Sequence, residues 1–434
     1  MKIIRNPLKA ILFLCAALFL FVTGCSNTTE TPSGTDNTEI HSSTENNETQ
    51  KNYFDYGENW NFDVTIESPT TKNNVKQYVY NYSTVDQQNN TVTCSALLEY
   101  PKPVSGSAVV QIDCVIIDCH GTISSNSEAP SVHGGASFSA ADLKNYGKNA
   151  LIIAPDYLGY GASVSKVHPY MVTDLCARNI IDSVVAVLQN PSSFGYSLKS
   201  GYKSYVIGYS QGGQTSLGTF RAIENYIPTA YKNLINLEKC YSGAGPHDLP
   251  ATMENFLNKG EDGNGIVFPN LIYLVIKGVL SADYECMRGY ELADFFTDEF
   301  LNSRIKAGID AKEISISSLA LEFNNFQDLN RLVKPELLNP GSEIYKNLKN
   351  ALSQNSLSSG WTVTKPVYIF QHINDDMVPP INIRQVQNGI GKNNHLVTCY
   401  VDETDITTSG MFEFIHSKAA SNFYTICGQD FLNN

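Results

Sequence analysis

The strongest constraint in this sequence is the stretch Lys203–Gly213, K-S-Y-V-I-G-Y-S-Q-G-G. Tyr205-Val206-Ile207 are β-formers and the residues from Gln211 onward suit a helix, so Ser210 falls on a strand-to-helix turn inside a G-x-S-x-G pattern. Such a turn closes only if it is very tight. Gly208 and Gly212, two residues either side of the serine, leave room where a Cβ would collide, and residue 210 takes a strained backbone conformation. This geometry lifts the Ser210 hydroxyl clear of the sheet. It also aims the backbone N–H of Gln211, at the start of the helix, at the place where a negatively charged oxygen would form. Ser210 is therefore a candidate nucleophile. A plain Gly-Ser turn is the alternative reading of so short a pattern, and the rest of the chain decides between them.

The first residues are not expected to belong to the fold. Lys2, Arg5 and Lys9 precede an apolar run, Ile11–Val22, of signal-peptide length and too short for a membrane span. The run ends V-T-G-C at Cys25, which resembles the lipobox of bacterial lipoproteins. That resemblance implies cleavage before Cys25, lipidation of its thiol, and an exported protein anchored in the cell envelope or at the cell surface. Residues 26–55 follow as an acidic tether. From Ser26 to Gln50 the only large apolar residue is Ile40, too little surface to offset the entropy of ordering. The net charge of −13 and the scattered basic residues argue against a nucleic-acid partner. Of ten cysteines, eight remain after Cys15 and Cys25. Several lie in apolar strand-like runs and read as buried free thiols, with no pairing deducible. No cysteine–histidine cluster has zinc spacing, so neither a metal nor a cofactor is expected.

Beyond the tether, strand and helix patterns alternate. Gln77–Tyr82 and Thr91–Tyr100 read as a hairpin around Asp86–Asn90. Ala108–Asp118 and Asn149–Pro155 read as buried strands. Met171–Leu188 is a helix by its four-residue apolar recurrence, followed by the strand Lys203–Ile207, the helix Gln211–Tyr226 and the strand Lys239–Ser242. Alternation then stops. Residues 249–359 are helical and loop-like, with an apolar run at Pro269–Leu280 that suits either the core of a small subdomain or a lid face meeting an apolar substrate. Asp262–Gly265 lacks the downstream ligands of a calcium loop. Strand pattern resumes at Lys365–Phe370, then come a helix at Ile381–Gly389, a strand at His395–Val401 and a C-terminal helix opening at Met411. The core is thus 56–248 with 360–434, and 249–359 is an insertion.

A serine hydroxyl needs an imidazole to take its proton, and the imidazole needs a carboxylate to fix its tautomer. After the Lys365–Phe370 strand come Asp375 and Asp376, and His416 follows the last strand. Both aspartates are candidates for the acid. The D-x-x-V-P spacing favours Asp375, with Val378 and Pro379 in place. His372 sits on the acid loop itself, His395 opens a strand, and His120 belongs to the turn C-H-G-T at the end of the Ala108–Asp118 strand. His416 has the position of the base. In that C-H-G-T turn the backbone N–H of Thr122 is the candidate second oxyanion donor, beside that of Gln211.

Together, G-Y-S-Q-G-G, H-G-T, D-Y-L-G-Y-G…H-P-Y, G-A-G-P-H-D-L and D-D-M-V-P resemble the α/β-hydrolase superfamily, and within it the secretory-lipase-like branch. The resemblance runs from about Tyr78 to the C-terminus. The chain departs from the pattern at His372, where glycine is usual, and in its N-terminal tether. The resemblance implies a mostly parallel sheet with helices on both faces and a helical cap inserted after the sixth strand. It implies a lipase or esterase working through an acyl-enzyme on Ser210, with an acylglycerol or another acyl ester as substrate. An esterase removing acetyl or feruloyl groups from polysaccharide and a serine peptidase of the same fold are the alternative enzymes. A non-catalytic surface binding protein predicts a missing triad member, and none is missing.

Overall fold

The computed structural model describes residues 51–434, apart from 58–59, 104–108, 138–139, 146, 258–268, 317, 319–325, 327, 409–412 and 434. The expected signal segment, Cys25, the tether up to Gln50, the Asp262–Gly265 loop and Met411 lie outside the described residues.

The strands are β1 (Thr65–Ile66), β2 (Thr70–Lys72), β3 (Val75–Val85), β4 (Thr91–Pro101), β5 (Val110–Cys119), β6 (Ala150–Pro155), β7 (Tyr196–Tyr209), β8 (Leu237–Gly243), β9 (Val367–His372) and β10 (Val397–Asp402). They form one sheet in the order β1-β3-β4-β6-β5-β7-β8-β9-β10, with β2 on β3. The β3–β4 hairpin lies where the sequence puts it. Its turn is closed by the Asp86 carboxylate, which accepts the N–H groups of Gln88 and Asn90 at 3.0 Å each. β4 runs antiparallel to β6. The six strands from β6 through β10 are parallel to one another. From β5 the chain steps to β6 on one side, then returns past β5 to β7 on the other. That reversal opens a crevice beyond the carboxyl ends of β5 and β7, where ligands of open α/β sheets bind.

Alternation on the central strands splits burial between two faces. Val115 and Ile117 pack on one side with Val206, and Ile116 packs on the other with Ile207. The first face is covered by α1 (Thr173–Gln189) and α2 (Gln211–Asn225). β7 starts at Tyr196 rather than at Lys203, because its first residues run beside Val110–Ile112 before a break in register opposite Ile112 and Cys114. The polar S-L-K-S-G-Y stretch there carries no apolar run to announce a strand.

The packed chain also reaches back into the stretch expected to be tether. Tyr53, Tyr56 and Phe62 are buried in the first-face core. The fully buried Arg178 of α1 lies 3.8 Å from the Tyr56 ring centroid and 4.3 Å from that of Trp60. It donates to the Tyr53 carbonyl and pairs with Asp182 at 2.7 Å. These aromatic residues supply the apolar area that Ser26–Gln50 lacks, and the buried guanidinium gives them a fixed partner.

Residues 249–359 carry their own apolar cluster, centred on Tyr273, Phe295, Phe296, Phe300 and Leu332. Its longer helices are α3 (Leu249–Leu257), α4 (Pro269–Ser281), α5 (Arg304–Ala311) and α6 (Glu343–Ser353). Tyr273, Leu274, Ile276 and Val279 of α4 are buried in this cluster, while Leu271, Ile272 and Val275 are only partly buried. The two points where the chain leaves and rejoins the core are tied together. Leu357 N–H donates to the His247 carbonyl at 2.7 Å, and the Ser358 hydroxyl donates to Asp248 Oδ2 at 2.9 Å. After α7 (Ile381–Asn388), α8 (Ile415–Asn433) covers the second face of the sheet through Ala419, Phe423, Cys427 and Phe431. The eight cysteines from Cys94 to Cys427 are free thiols, as the sequence suggested.

Candidate active site

Ser210 closes β7 and opens α2 with φ 62° and ψ −124°, a conformation that side-chain-bearing residues rarely adopt. Its N–H donates to the Gly243 carbonyl at 2.9 Å, and its carbonyl accepts from Gly213 at 2.8 Å, so the turn is fixed from both sides. The two glycines of the pattern are required by space. A Cβ on Gly208 would stand 2.2 Å from the Gly212 carbonyl oxygen, and one on Gly212 would stand 2.0 Å from the Cys119 carbonyl oxygen. The end of β5 therefore presses directly on the turn. The residues after β5 come with it: a Cβ built on Gly121 would lie 3.9 Å from the Ser210 Cβ. Thr122 follows Gly121 in the chain, and Gln211 follows the serine. Gln211 occupies the first turn of α2, whose N–H groups have no acceptor within the helix.

Asp375 and His416 meet where the sequence order predicts. Asp375 Oδ2 accepts from His416 Nδ1 at 2.8 Å, with both side chains almost fully buried. The carboxylate is held on every side. Gln371 Nε2 donates to Oδ2 at 2.8 Å, and the N–H groups of Met377 and Val378 donate to Oδ1 at 3.0 and 2.8 Å. Asp376 does something else. Its oxygens accept the N–H groups of Ile415 and His416 at 3.0 and 3.1 Å, which caps the start of α8. The two adjacent aspartates thus hold the same histidine by its ring and by its backbone. Tyr209 reaches His416 from the serine side, with ring centroids 4.9 Å apart and its hydroxyl donating to the His416 carbonyl at 2.8 Å.

His372, His120 and His168 are held by packing and by hydrogen bonds to backbone or amide groups. His372 lies at the end of β9, where Nε2 donates to the Thr404 carbonyl at 2.9 Å and Nδ1 accepts from Asn374 at 3.1 Å. It secures the corner from which the acid loop leaves. His395 is exposed. His120 stacks on Tyr157 at 3.9 Å and donates to the Gly121 carbonyl, and burial lowers its pKa to about 4. His168 donates through Nδ1 to the Leu158 carbonyl, which leaves Nε2 to accept from the Gln211 side chain at 2.8 Å. Burial holds it neutral, with a pKa of about 3. A Cβ on Gly159 would strike the His168 backbone nitrogen at 2.7 Å, so D-Y-L-G-Y-G and H-P-Y form one folded unit. That unit fixes the side chain of Gln211. It fixes Thr122 as well, since the Thr122 hydroxyl lies 2.7 Å from the hydroxyl of Tyr170. Gln371, His168, Tyr170 and Tyr209 are thus site residues that sequence reasoning passed over. Tyr209 is the variable residue inside G-x-S-x-G, and His168 and Tyr170 stand in the H-P-Y motif, which enters the resemblance without a role for either side chain; Gln371 has no local signal.

The secretory lipase profile matches residues 144–404. The chain belongs to the secretory lipase family. Ser210, Gln211 and Asp375 lie inside the matched residues, whereas Thr122 precedes them and His416 follows them. Membership makes the chain a carboxylic-ester hydrolase of the serine, acyl-enzyme type. Solved structures agree on the fold. The rice cell wall degrading esterase LipA from Xanthomonas oryzae is 18% identical with a TM-score of 0.62, covering 84% of this chain and 96% of that one. Candida antarctica lipase A is 17% identical with a TM-score of 0.50, covering 76% and 72%. Both share the α/β-hydrolase fold of this secretory lipase. No curated protein matches the sequence.

Proposed function

We propose that Ser210 is the nucleophile of this secretory lipase, His416 its base and Asp375 its acid, with the backbone N–H groups of Gln211 and Thr122 as oxyanion donors. The observation that carries this reading is the 2.8 Å bond from His416 Nδ1 to a carboxylate held by three further donors. With Nδ1–H committed to Asp375, Nε2 is the bare nitrogen that can accept a proton. Ser210 Oγ attacks the ester carbonyl as its proton passes to His416 Nε2. The carbonyl oxygen gains negative charge and is met by the two N–H groups. His416 then gives the proton to the leaving alcohol oxygen, and the C–O bond breaks. Water repeats the cycle on the acyl-enzyme and releases the acid.

The substrate is an acyl ester, with an acylglycerol as the leading candidate and lipid breakdown as the setting. The partly buried Leu271, Ile272 and Val275 of α4 are the residues from which a lid face for an acyl chain would be built. Acetyl or feruloyl ester cleavage on polysaccharide is the second reading, and the shared fold with a cell wall degrading esterase favours it over the peptidase alternative. Membership of a secretory family accords with export, and anchoring through a lipidated Cys25 is part of the same proposal.

The test is hydrolysis of p-nitrophenyl esters from acetyl to palmitoyl by the full chain beside Ser210→Ala. Activity that peaks on long acyl chains and falls on the order of 10⁶-fold in the variant supports the lipase reading. A peak at acetyl moves the substrate to the second reading. Turnover that survives Ser210→Ala refutes the assignment.

A further inference from the structure

The segment that follows α5, Lys312–Ile316, leaves the cap and docks on the core beside the oxyanion side of the site. The Lys312 ammonium is the centre of this seam. It donates to the carbonyls of Gly159, Val164 and Lys166, the last two at 2.5 and 2.6 Å, and lies 5.4 Å from the Tyr160 ring centroid. These three carbonyls belong to one core loop and use all three of its N–H donors. Around the ammonium the seam is closed by backbone pairs. Asn126 N–H donates to the Lys312 carbonyl at 2.8 Å, and the Ser124 hydroxyl donates to the Ile314 carbonyl at 2.6 Å. Glu128 accepts from Ser124 and Ser125 on its own side and from Ile316 across the seam at 3.1 Å.

Both core partners of this seam continue directly into the oxyanion groups. The segment Ser124–Glu128 begins two residues after Thr122. The Gly159–Lys166 loop carries Tyr160, whose hydroxyl donates to the Ile123 carbonyl at 2.7 Å, and it leads to His168, which holds the Gln211 side chain. Gly161 N–H donates to Asn126 Oδ1 at 2.8 Å and joins the two core partners to each other.

Resting on the assignment of Thr122 and Gln211 above, we propose that Lys312 is a positioning residue of the cap: its ammonium locks the Gly159–Lys166 loop and the Thr122–Glu128 segment into the register that sets the oxyanion donors. The cap is then a working part of the catalytic site as well as a cover for it. Loosening the pin shifts donors that must sit within hydrogen-bond reach of a developing charge, so the loss is felt in kcat more than in KM.

The pin has a charge dependence. Burial draws the Lys312 pKa down to about 8, with Lys277 of α4 adding to the fall and Asp310 of α5 opposing it. Asp310 is shared with Lys306, Lys166 of the gripped loop pairs with Asp86, and Glu128 lies across the seam in hydrogen bonds to backbone. As pH rises through the folded value the ammonium loses its charge and one donor, and the grip on the three carbonyls weakens.

The experiment is Lys312→Met in the full chain, with kcat and KM on p-nitrophenyl butyrate across pH, alongside a thermal melt. Lys312→Met keeps the aliphatic stem and removes the donors. A kcat on the order of tenfold to a hundredfold lower, KM within about twofold, and loss of an alkaline fall in kcat seen in the wild type are expected. A variant that folds, keeps kcat within about twofold and retains the alkaline fall overturns the proposal. If the variant does not fold, the wild type decides it alone: kcat flat from about pH 7 to about pH 10 overturns the pin. Wild-type turnover that is indifferent to Ser210→Ala refutes the site assignment instead, so the two failures are distinguishable.

Discussion

Asp375 and Asp376 are neighbours with the same side chain, yet the geometry gives them costs of different kinds. In Asp375→Asn the amide oxygen keeps the Met377 and Val378 N–H groups, so the loop has no reason to move. The amide nitrogen then faces His416 Nδ1. Two donors cannot share that contact, so the imidazole moves its hydrogen to Nε2 and accepts through Nδ1. A base with its proton on the wrong nitrogen cannot take another from Ser210. The corresponding change in a chymotrypsin-type triad lowers kcat about 10⁴-fold, or about 5.5 kcal/mol of barrier, and that is the expected scale here. Turning the Gln371 amide restores its contact with residue 375 but gives up its bond to the Val378 carbonyl, so the loss of stability is about 1–2 kcal/mol.

Asp376→Asn removes a negative charge from the start of α8 but keeps a cap. It should cost about 0.5–1 kcal/mol of stability and leave kcat within a few-fold. The assay is kcat on p-nitrophenyl butyrate for both variants, with urea unfolding of each. Equal kinetic losses, or a larger one at Asp376, would show that the bond to His416 Nδ1 does not carry the chemistry.

Three further outcomes are expected. Gly212→Ala should destabilise the protein by about 3 kcal/mol and abolish activity, because its Cβ meets the Cys119 carbonyl at 2.0 Å, whereas Gly428→Ala on α8, where nothing lies within 4 Å, should stabilise by about 0.5–1 kcal/mol in the same urea titration. The buried His120, His168 and His247 have pKa values lowered from 6.5 to about 4, about 3 and about 3, and burial raises Asp118 and Asp156 from 3.8 to about 6. Burial also raises Asp182 to about 7, so between about pH 4 and 6 unfolding takes up three protons at the histidines and releases three at the aspartates, and these six groups cancel. Asp118→Asn removes one release and should make stability rise with pH about 1.4 kcal/mol per unit more steeply than in the wild type; an unchanged slope of the urea midpoint would refute this. Ile272→Ser with Val275→Ser should cut activity on palmitoyl esters while sparing acetyl esters, whereas Tyr273→Ala, fully buried in the cap, should lower the melting temperature; equal loss on both ester lengths would remove α4 as a lid face.

What was legible in the sequence follows from which signals are local. The elbow at Ser210 was legible because a tight turn writes its requirement into adjacent positions, glycine at 208 and 212. The parallel strands were legible because burial on both faces makes apolar runs such as V-I-I in β5. The first half of β7 was not, since it is a half-exposed extension whose only reason to be extended is its neighbour on β5. The contrast between Asp375 and Asp376 was legible only as a spacing preference. Nothing along the chain says that one carboxylate turns toward the ring of a histidine beyond the next strand and the other toward that histidine's backbone. The partners of Gln211 were hidden for the same reason: His168 reads as a loop histidine until Gly159 folds its own loop back against it.

His416 follows the last residue matched by the family profile, and Thr122 precedes the first, so the shared middle of the chain does not contain the proposed site by itself. It must recruit a histidine from α8 and an amide from the end of β5. Tyr209 is the residue through which the middle reaches the first of these: its ring meets the His416 ring, its hydroxyl holds the His416 carbonyl, and its backbone leads straight into Ser210. Gly208 and Gly212 do the same for the second, because only their missing side chains let the end of β5 approach. The turn at Ser210 is therefore a junction as much as a mount for the proposed nucleophile. Tyr209→Phe, which keeps the ring and frees the His416 carbonyl, should lower kcat by less than tenfold and stability by about 1 kcal/mol, while Tyr209→Ala should lose both ring and anchor and approach the loss of the histidine itself. Equal activities in the two variants, measured on the same butyrate ester, would show that His416 is held by Asp375 and Asp376 alone.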